Sequence, residues 1–325
     1  MFSASEKLAI IRLVEESELS IRRTLDEMKI NRSSFYRWYH AYERDGLTGL
    51  ENQSRGPKLH WNRIPDNIRE QVIEIALEMP DMTPRELAWH ITDTYDYFIS
   101  ESSVYRILKA NDLITSPQFT VLSAADVFQH PTHRVHELWQ TDFTYFRIIN
   151  WGWYFLSTVL DDYSRYIISW RLTTTMSAND VTDTLEDALK VSGLKDARVY
   201  HKPRLLSDNG PCYISGQLKD WLRKQDIEHT RGAPYHPMTQ GKIERYHRSM
   251  KNVVKLEHYY FPWELEQAIA VWVEHYNHER YHESLNNVTP ADVYYGRSSE
   301  ILDNRAIIKS RTLSQRKVQN LRLAG

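Results

Sequence analysis

One cysteine, Cys212, stands among 325 residues, so no intrachain disulfide framework is possible and a reducing compartment is expected. No stretch approaches the roughly 20 apolar residues that a membrane-spanning helix needs. The first residues, MFSASEKLAII, lack the basic region and long apolar run of a secretory leader, and no membrane partner is expected. A strong net charge is missing too. With 41 Lys and Arg against 43 Asp and Glu the balance is −2, which weighs against a polyanionic partner, because counterion release needs clustered cations. The distribution answers that objection. Five Lys or Arg fall between Lys242 and Lys255, and after Asp303 the chain carries Arg305, Lys309, Arg311, Arg316, Lys317 and Arg322 with no acid. Cations therefore gather where a phosphate backbone could lie. A hydrophobic content of 41% with 26% charged is ordinary globular composition, and the length allows two or more domains.

What is present begins with an internal repeat. Ile30-Asn-Arg-Ser33-Ser34-Phe-Tyr36-Arg37 and Ile99-Ser-Glu-Ser102-Ser103-Val-Tyr105-Arg106 align at an offset of 69 residues. Each closes a three-helix pattern. In the first, helices over 6–16 and 20–28 precede a third that opens at a polar cap near Asn31; in the second, helices over 67–79 and from Thr83-Pro84 to about Tyr95 precede a third after Ser100. Thr83 followed by Pro84 is a good cap and first-position pair. Both units read as helix-turn-helix modules, in which the third helix enters the major groove of duplex DNA. The candidate DNA contacts are Arg32, Ser33, Ser34 and Arg37 in the first unit and Ser102, Ser103, Arg106 and Lys109 in the second. A plain three-helix bundle whose serines only cap a helix is the blander alternative for either copy alone.

The expected boundaries are 1–52 and 60–113 for the two modules, a linker at 114–135, a core at 136–296 and a basic tail at 297–325. Between the modules, 51–58 has connector composition. The core alternates as an α/β domain does. Strands are expected at 138–149, 153–161 and 166–173, then a helix from the cap Ser177 to about Val191, a short buried strand at 205–207, a helix at 215–225 and a short strand near 228–231. The loop 232–240, GAPYHPMTQ, is rich in turn formers and reads as a lid before a last helix.

Three acids stand out in this core: Asp142 in WQTDFTYF, Asp208 in LLSDNGPCY and Glu244 in QGKIERYHRSMK, with 35 residues between the last two. The aspartates fall at strand ends, where ligands gather in open α/β sheets. Two carboxylates about 4 Å apart repel by roughly 4 kcal/mol at a near-surface dielectric, so such a cluster makes sense chiefly as a site for divalent cations with hard oxygen ligands. Glu244, Arg248 and Lys251 share one helical face at i, i+4 and i+7. An ordinary solvated face with i,i+4 pairing is the alternative.

These segments resemble the catalytic core of retroviral integrases and of bacterial insertion-sequence transposases, especially the IS-three family and its close relatives. VLDDYSRYIISW (159–170) resembles the turn after the second strand of those cores, and YNHERYHESLNNVTP (276–290) resembles their Tyr-Asn, Arg, His, Leu and Thr-Pro pattern. The resemblance spans about residues 130–296. It implies a ribonuclease-H-like α/β catalytic core behind the two all-α helix-turn-helix modules. It implies further that Asp142, Asp208 and Glu244 are both the catalytic and the metal-binding residues, holding two Mg²⁺ ions for which Mn²⁺ substitutes, with Arg248 and Lys251 on DNA. The implied activity is that of a DNA transposase, which binds the ends of a mobile element and carries out metal-dependent strand cleavage and transfer into target DNA. The partners would be double-stranded DNA and further copies of the chain, at least a dimer, in the cytoplasm on the bacterial nucleoid. A DNA-binding regulator with lost catalysis and a simple metal nuclease are the alternatives. One cysteine cannot build the His-His-Cys-Cys zinc module of retroviral integrases, and here the chain sides with the bacterial pattern.

Three features receive blander readings. Asp161 and Asp162 are expected to make turn contacts rather than bind metal. His275, His278 and His282 lie at helical spacing but lack a cysteine partner, and His236 before Pro237 reads as loop structure. The ten tryptophans, Trp139, Trp151, Trp153, Trp221 and Trp272 among them, are expected mainly in the core.

Overall fold

In the computed structural model all residues are described except 1, 18, 52–59, 112, 115–131, 196–201, 233–240, 255–258 and 325. Most of the connector at 51–58, most of the linker at 114–135, and the expected lid with His236 thus lie outside the described residues. The chain divides into two compact units, one of residues 1–61 with 322–325 and one of residues 62–321.

The first unit holds helices α1 (Ala4–Glu16), α2 (Ile21–Glu27) and α3 (Arg32–Asp45), followed by a 3₁₀ turn over Gly46–Leu50. Ser3 and Glu6 form a reciprocal capping box on α1, and Asn31 caps α3 by accepting from the Ser33 N–H. Each satisfies donors that a helix start leaves open. Lys29, at φ 54°, turns the chain between α2 and α3. Ile11, Val14, Leu25, Phe35 and Leu50 make the core. Buried beside them, Lys7 donates through Nζ to the Leu50 carbonyl at 2.8 Å.

Three more helices open the second unit: α4 (Asp66–Glu78), α5 (Pro84–Tyr95) and α6 (Glu101–Ala110). Thr83 and Glu86 form a capping box with Pro84 at the start of α5, and Ser100 caps α6. Asp96, left-handed at φ 55°, ends α5. Val72, Ile75, Leu87, Ile91, Ile99, Val104 and Ile107 fill the space among them. Spacings of three and four along each helix put these residues on one stripe.

The rest of this unit is built on a five-stranded sheet of β1 (Leu138–Ile148), β2 (Gly152–Asp161), β3 (Ile167–Thr173), β4 (Arg204–Ser207) and β5 (His229–Arg231), in the order β3-β2-β1-β4-β5. The first three strands run antiparallel, and β4 and β5 are parallel to β1. Side chains alternate across the strands, so the sheet has two apolar faces. On one, Trp139, Val159 and Ile168 pack with α7 (Ala178–Val191) and α8 (Gly216–Lys224) through Val181, Leu185, Leu218 and Leu222. On the other, Phe146, Ile148, Leu156 and Leu160 meet α9 (Gly241–Val254) and α10 (Pro262–His278) through Ile243, Tyr246, Met250, Leu265 and Ile269. The result is a three-layer mixed sheet of the ribonuclease-H-like kind.

Two expectations require correction. Trp139 is core, but Trp151 and Trp153 are 53% and 51% exposed. Trp151 lies in the turn between β1 and β2, and Trp153 is the second residue of β2, both at the tip of the hairpin. The second concerns the tail. After α11 (Pro290–Tyr294), residues Ser298–Ala324 form one 27-residue helix, α12, and its cations are not simply a solvated basic strip. Arg305, Ile308, Thr312, Arg316 and Asn320 are buried and recur at helical spacing. Arg305 pairs with Asp93 of α5 at 2.6 Å, donates to the Asn287 carbonyl and lies over the Trp89 ring at 4.5 Å. Arg316 donates to the Tyr97 hydroxyl and the Phe98 carbonyl, Thr312 accepts from the Phe98 N–H, and Asn320 donates to the Arg63 carbonyl. Arg85 bridges Glu101 and Glu283, and the Tyr281 hydroxyl donates to Asp93. The second three-helix module is therefore fastened to the sheet-bearing part rather than set apart from it. Among the described residues no helix is long and apolar enough to cross a membrane.

Candidate active site

β1 carries Asp142 with its side chain toward α9. The carboxylate is 21% exposed; its Oδ1 accepts from the Phe143 N–H at 2.8 Å, and its Oδ2 lies 3.4 Å from Nδ1 of His247. β4 runs parallel to β1 with Gln140 opposite Leu206, and two more residues in that register bring Asp208 alongside Asp142. Partial burial raises the Asp208 carboxyl from its ordinary value, and the negative charge of Asp142 adds to the rise; the Gly210 N–H, donating to Oδ1 at 2.9 Å, opposes both. Burial raises Cys212 and Tyr213 too, and both feel the charges of the two aspartates. Asp142 thus sits close enough to disfavour the ionised form of Asp208, an arrangement that a cation relieves.

Gly210 fits this turn for a steric reason. A Cβ at that position would meet Oδ1 of Asp208 at 3.0 Å and Cδ2 of Tyr213 at 3.5 Å. Asn209 fastens the same turn by donating through Nδ2 to the Gly232 carbonyl at 2.7 Å.

Glu244 is exposed in the first turn of α9. Neighbours on both sides fasten that helix to β1 and β2. Lys242, 8% exposed, forms a buried ion pair with Asp162 at 2.5 Å. Asp162 in turn accepts from Gln140 and Thr132, while the Ile243 N–H donates to Gln140. His247 bridges Asp142 and the Thr158 hydroxyl, 3.4 Å away. Glu244 stands one helical turn before His247, on the helix that borders the Asp142 strand. Among the described residues no three His, Cys, Asp or Glu side chains are gathered as a ready metal site. The structure brings Asp142 and Asp208 together and leaves Glu244 outside that pair. The Asp142–Asp208 pair is a donor set that fits a divalent cation, with Glu244 the one carboxylate of α9.

Sequence reasoning missed His247, Lys242, Gln140 and Gly210. One signal was available for His247: it occupies the buried stripe Ile243, Tyr246, Met250, Val254 of α9, where an imidazole needs a polar partner. Asp161, fully buried, makes turn contacts, accepting from the Ser164 N–H and hydroxyl and from the His136 N–H. His282 is a core side chain edge-on to Tyr276, and burial pushes its pKa down to about 3. It does not share a metal cluster with His275 and His278, which pair with Glu279 and Glu274.

Farther along α9, Arg248 is exposed, and the ammonium of Lys251 lies 4.5 Å over the Tyr145 ring. On the third helices, Arg32, Ser33 and Arg37 are exposed and Ser34 is half-buried; the Ser33 hydroxyl donates back to Asn31. On α6, Ser102, Arg106 and Lys109 are exposed and Ser103 is half-buried against Ser100. Arg106 folds back on the Ser102 carbonyl at 2.9 Å, and Lys109 lies over Tyr105.

Comparison with known families decides what this architecture is. Residues 132–237 and, through a second family, 225–290 match families described as integrase core domain. The chain carries an integrase core. Ahead of that core, residues 34–108 match a homeodomain-like domain and 6–58 a helix-turn-helix domain. Over 267 residues the chain is 25% identical to a transposase for transposon Tn552 from Staphylococcus aureus, which covers 76% of this chain and 55% of that protein. Over 56 residues it is 46% identical to an IgE-binding protein of Mus musculus, covering 17% of this chain and 10% of that one. The chain thus spans about half the length, or less, of these curated relatives. A solved HTLV-2 integrase catalytic core domain in complex with magnesium is 19% identical, with a TM-score of 0.40, covering 50% of this chain and 97% of that one.

Proposed function

We propose that this chain is a DNA transposase: its helix-turn-helix modules bind the ends of a mobile element, and its integrase core cleaves DNA strands and joins them to target DNA. The observation that carries the reading is the pairing of Asp142 and Asp208 at neighbouring strands beside the helix of Glu244. In this reading Asp142, Asp208 and Glu244 hold two Mg²⁺ ions, with Mn²⁺ an effective substitute. Bound there, the metals supply Lewis-acid stabilisation of the attacking and leaving oxygens of an in-line displacement at phosphorus.

The chain's own residues do the rest. His247 holds the Asp142 carboxylate from the α9 side, and the Gly210 N–H fixes the rotamer of Asp208. The buried Lys242–Asp162 pair keeps the start of α9 against the sheet, which sets where Glu244 stands. Arg248 and Lys251 receive phosphates of the strand that enters the site; Arg32, Ser33, Ser34 and Arg37, with Ser102, Ser103, Arg106 and Lys109, meet the element end. Joining two ends calls for at least two copies of the chain on DNA.

The test is an end-cleavage and strand-transfer assay in Mg²⁺ with Asp142→Asn, Asp208→Asn and Glu244→Gln. Each removes a charge at nearly constant size. Loss of even an outer-shell partner of a metal typically costs 10–100-fold, so each of these ligand changes should cost more than about 100-fold, while end binding stays intact. Substantial strand transfer by any one variant would remove that residue from the triad. Cleavage without joining in the wild type would make the chain a nuclease, and binding without either would make it a regulator.

A further inference from the structure

Beyond Asp142, the outward side of the β1–β2 hairpin presents aromatic rings to solvent. Tyr145 and Trp153 are 52% and 51% exposed, although Phe146, next to Tyr145, is buried. The two rings meet edge-to-face at 5.4 Å. Each carries a cation. Lys251 of α9 places its ammonium over Tyr145 at 4.5 Å, and Arg147, in register opposite Trp153, sets its guanidinium 5.9 Å from that indole. β4 covers β1 only over Leu138–Gln140, so this stretch lies past the strand pairing on that side. Among the described residues Arg147 has no carboxylate partner. Aromatic side chains bring about 150–250 Å² of surface each, and leaving half of two adjacent rings in water is unfavourable unless something covers them.

The chemistry of the patch selects its occupant. The core of a protein–protein interface is depleted in charge, whereas here a cation stands at each ring. Rings interleaved with Lys and Arg are what a single strand uses: bases stack on the π-faces while the cations take phosphates. A duplex keeps its base faces inside the stack and cannot use the rings. Position agrees. Tyr145 lies three residues beyond Asp142 on β1, about 10 Å at the rise of a strand or about three base steps. The odd offset turns its side chain to the other face, and Lys251, on the helix that borders Asp142, joins the two by reaching over its ring.

We propose that Tyr145, Arg147, Trp153 and Lys251 form a stacking platform for unpaired nucleotides of the DNA strand that runs past Asp142. The identity of that strand rests on the strand-transfer reading above. Binding to the platform does not require catalysis, so the two fail separately.

The experiment measures affinity of the whole chain, without metal, for single-stranded oligothymidylate and for a blunt duplex of equal length. Tyr145→Ala and Trp153→Ala should each weaken single-strand binding about 10-fold, the ordinary loss per stacked base, and leave duplex binding within twofold. Trp153→Phe should recover most of the loss, which a merely destabilised hairpin would not predict. Arg147→Gln should reduce the salt slope of single-strand binding by about 0.7, one phosphate's share. Unchanged single-strand affinity in both alanine variants overturns the proposal, as does an equal loss on both DNAs. So does a wild-type dimer, seen by sedimentation without DNA, that Trp153→Ala dissociates, because the platform would then be covered by a second copy. If the alanine variants do not fold, Trp153→Phe and Arg147→Gln decide alone: a wild-type salt slope in Arg147→Gln rejects the site.

Discussion

Asn31 and Ser100 cap the third helices of the two repeats in the same manner, each accepting a backbone N–H from the first turn of its helix. Both repeats also turn into that helix through a left-handed residue that is not glycine, Lys29 in one and Asp96 in the other. The second helices differ. In the first repeat α2 has seven residues and no side-chain cap, with Leu19 and Ile21 exposed around its start. In the second, α5 has twelve residues and a capping box, and Arg85, Trp89 and Asp93 along it engage Glu283, Arg305 and Tyr281. One local pattern thus yields two tertiary roles: a module that is its own compact unit, and a module bound into the unit of the integrase core. A DNA reader of the second kind would hold its recognition helix at a fixed distance from the carboxylates.

The largest effect that breaks this comparison is expected at Asp93. Asp93→Ala leaves the guanidinium of Arg305, 5% exposed, buried without its countercharge, and removing one partner of a buried pair is strongly destabilising. The stacked Trp89 ring and the Asn287 carbonyl remain, so about 3 kcal/mol is expected, at the lower end of the range for such losses. The matching position in the first repeat is Thr24, whose hydroxyl donates to the Ser20 carbonyl at 3.2 Å. Thr24→Ala should cost about 1 kcal/mol. Urea unfolding combined with hydrogen exchange on both units measures the two values. Equal losses would mean that α12 and the 281–287 segment do not fasten the second module.

Arg37 and Arg106 are the next pair. They occupy equivalent places in the repeats, but Arg106 already donates to the Ser102 carbonyl and lies 3.4 Å from its hydroxyl, whereas Arg37 is an exposed side chain of α3. Reaching DNA costs Arg106 an existing hydrogen bond, so Arg37→Ala should weaken binding to the element end more, about 10-fold against about threefold. A phosphate contact would lower the salt slope by about one unit for every sequence, and a base contact would relax specificity at one position by roughly 1–3 kcal/mol. Footprinting and salt titration separate these. Unchanged affinity in both variants would remove α3 and α6 as DNA readers.

The same contrast explains what the sequence made legible. Helix starts at Asn31, Thr83, Ser100, Ser177 and Ser215 and the strands at 138–173 were readable because caps and alternation are local. Asp208 was readable because strand ends are where α/β sheets expose ligating groups; Asp142, expected at a strand end too, sits inside β1 instead. α12 was not. Its buried stripe is Arg305, Ile308, Thr312, Arg316 and Asn320, four polar residues to one apolar. Hydrophobic periodicity cannot register a face whose burial rests on ion pairs and hydrogen bonds with Asp93, Tyr97 and Phe98. Lys242 and His247 were hidden in the same way, because a buried polar side chain reads as a surface residue until its partner, here Asp162 or Asp142, is brought to it by the fold. Trp153 misled in the opposite direction: a large aromatic on a strand ordinarily faces a core, and this one does not.

The smallest expected effect sharpens the comparison at the caps themselves. Asn31→Ala removes an acceptor that holds the Ser33 N–H at 3.0 Å on an exposed turn, and should cost about 1 kcal/mol. Ser100→Ala removes a similar acceptor for the Ser103 N–H at 3.3 Å and a hydroxyl partner of Ser103 at 2.8 Å, as Asn31→Ala does for the Ser33 hydroxyl, but in a half-buried setting where that of Asn31 is exposed. A half-buried hydroxyl that loses a partner is less easily served by water, so the loss should exceed that at Asn31 by a few tenths of a kcal/mol. Replacing each with Gly separates capping from the cost of alanine in a non-helical backbone, since glycine at a cap costs only a few tenths. Because α6 is also held by α12 through Phe98, the Ser100 variant should lose protection on α6 only in step with the rest of residues 62–321, whereas the Asn31 variant should fray α3 locally. Hydrogen exchange resolved by residue reads the difference. Local fraying at both helices would show that α12 does not couple the second module to the core.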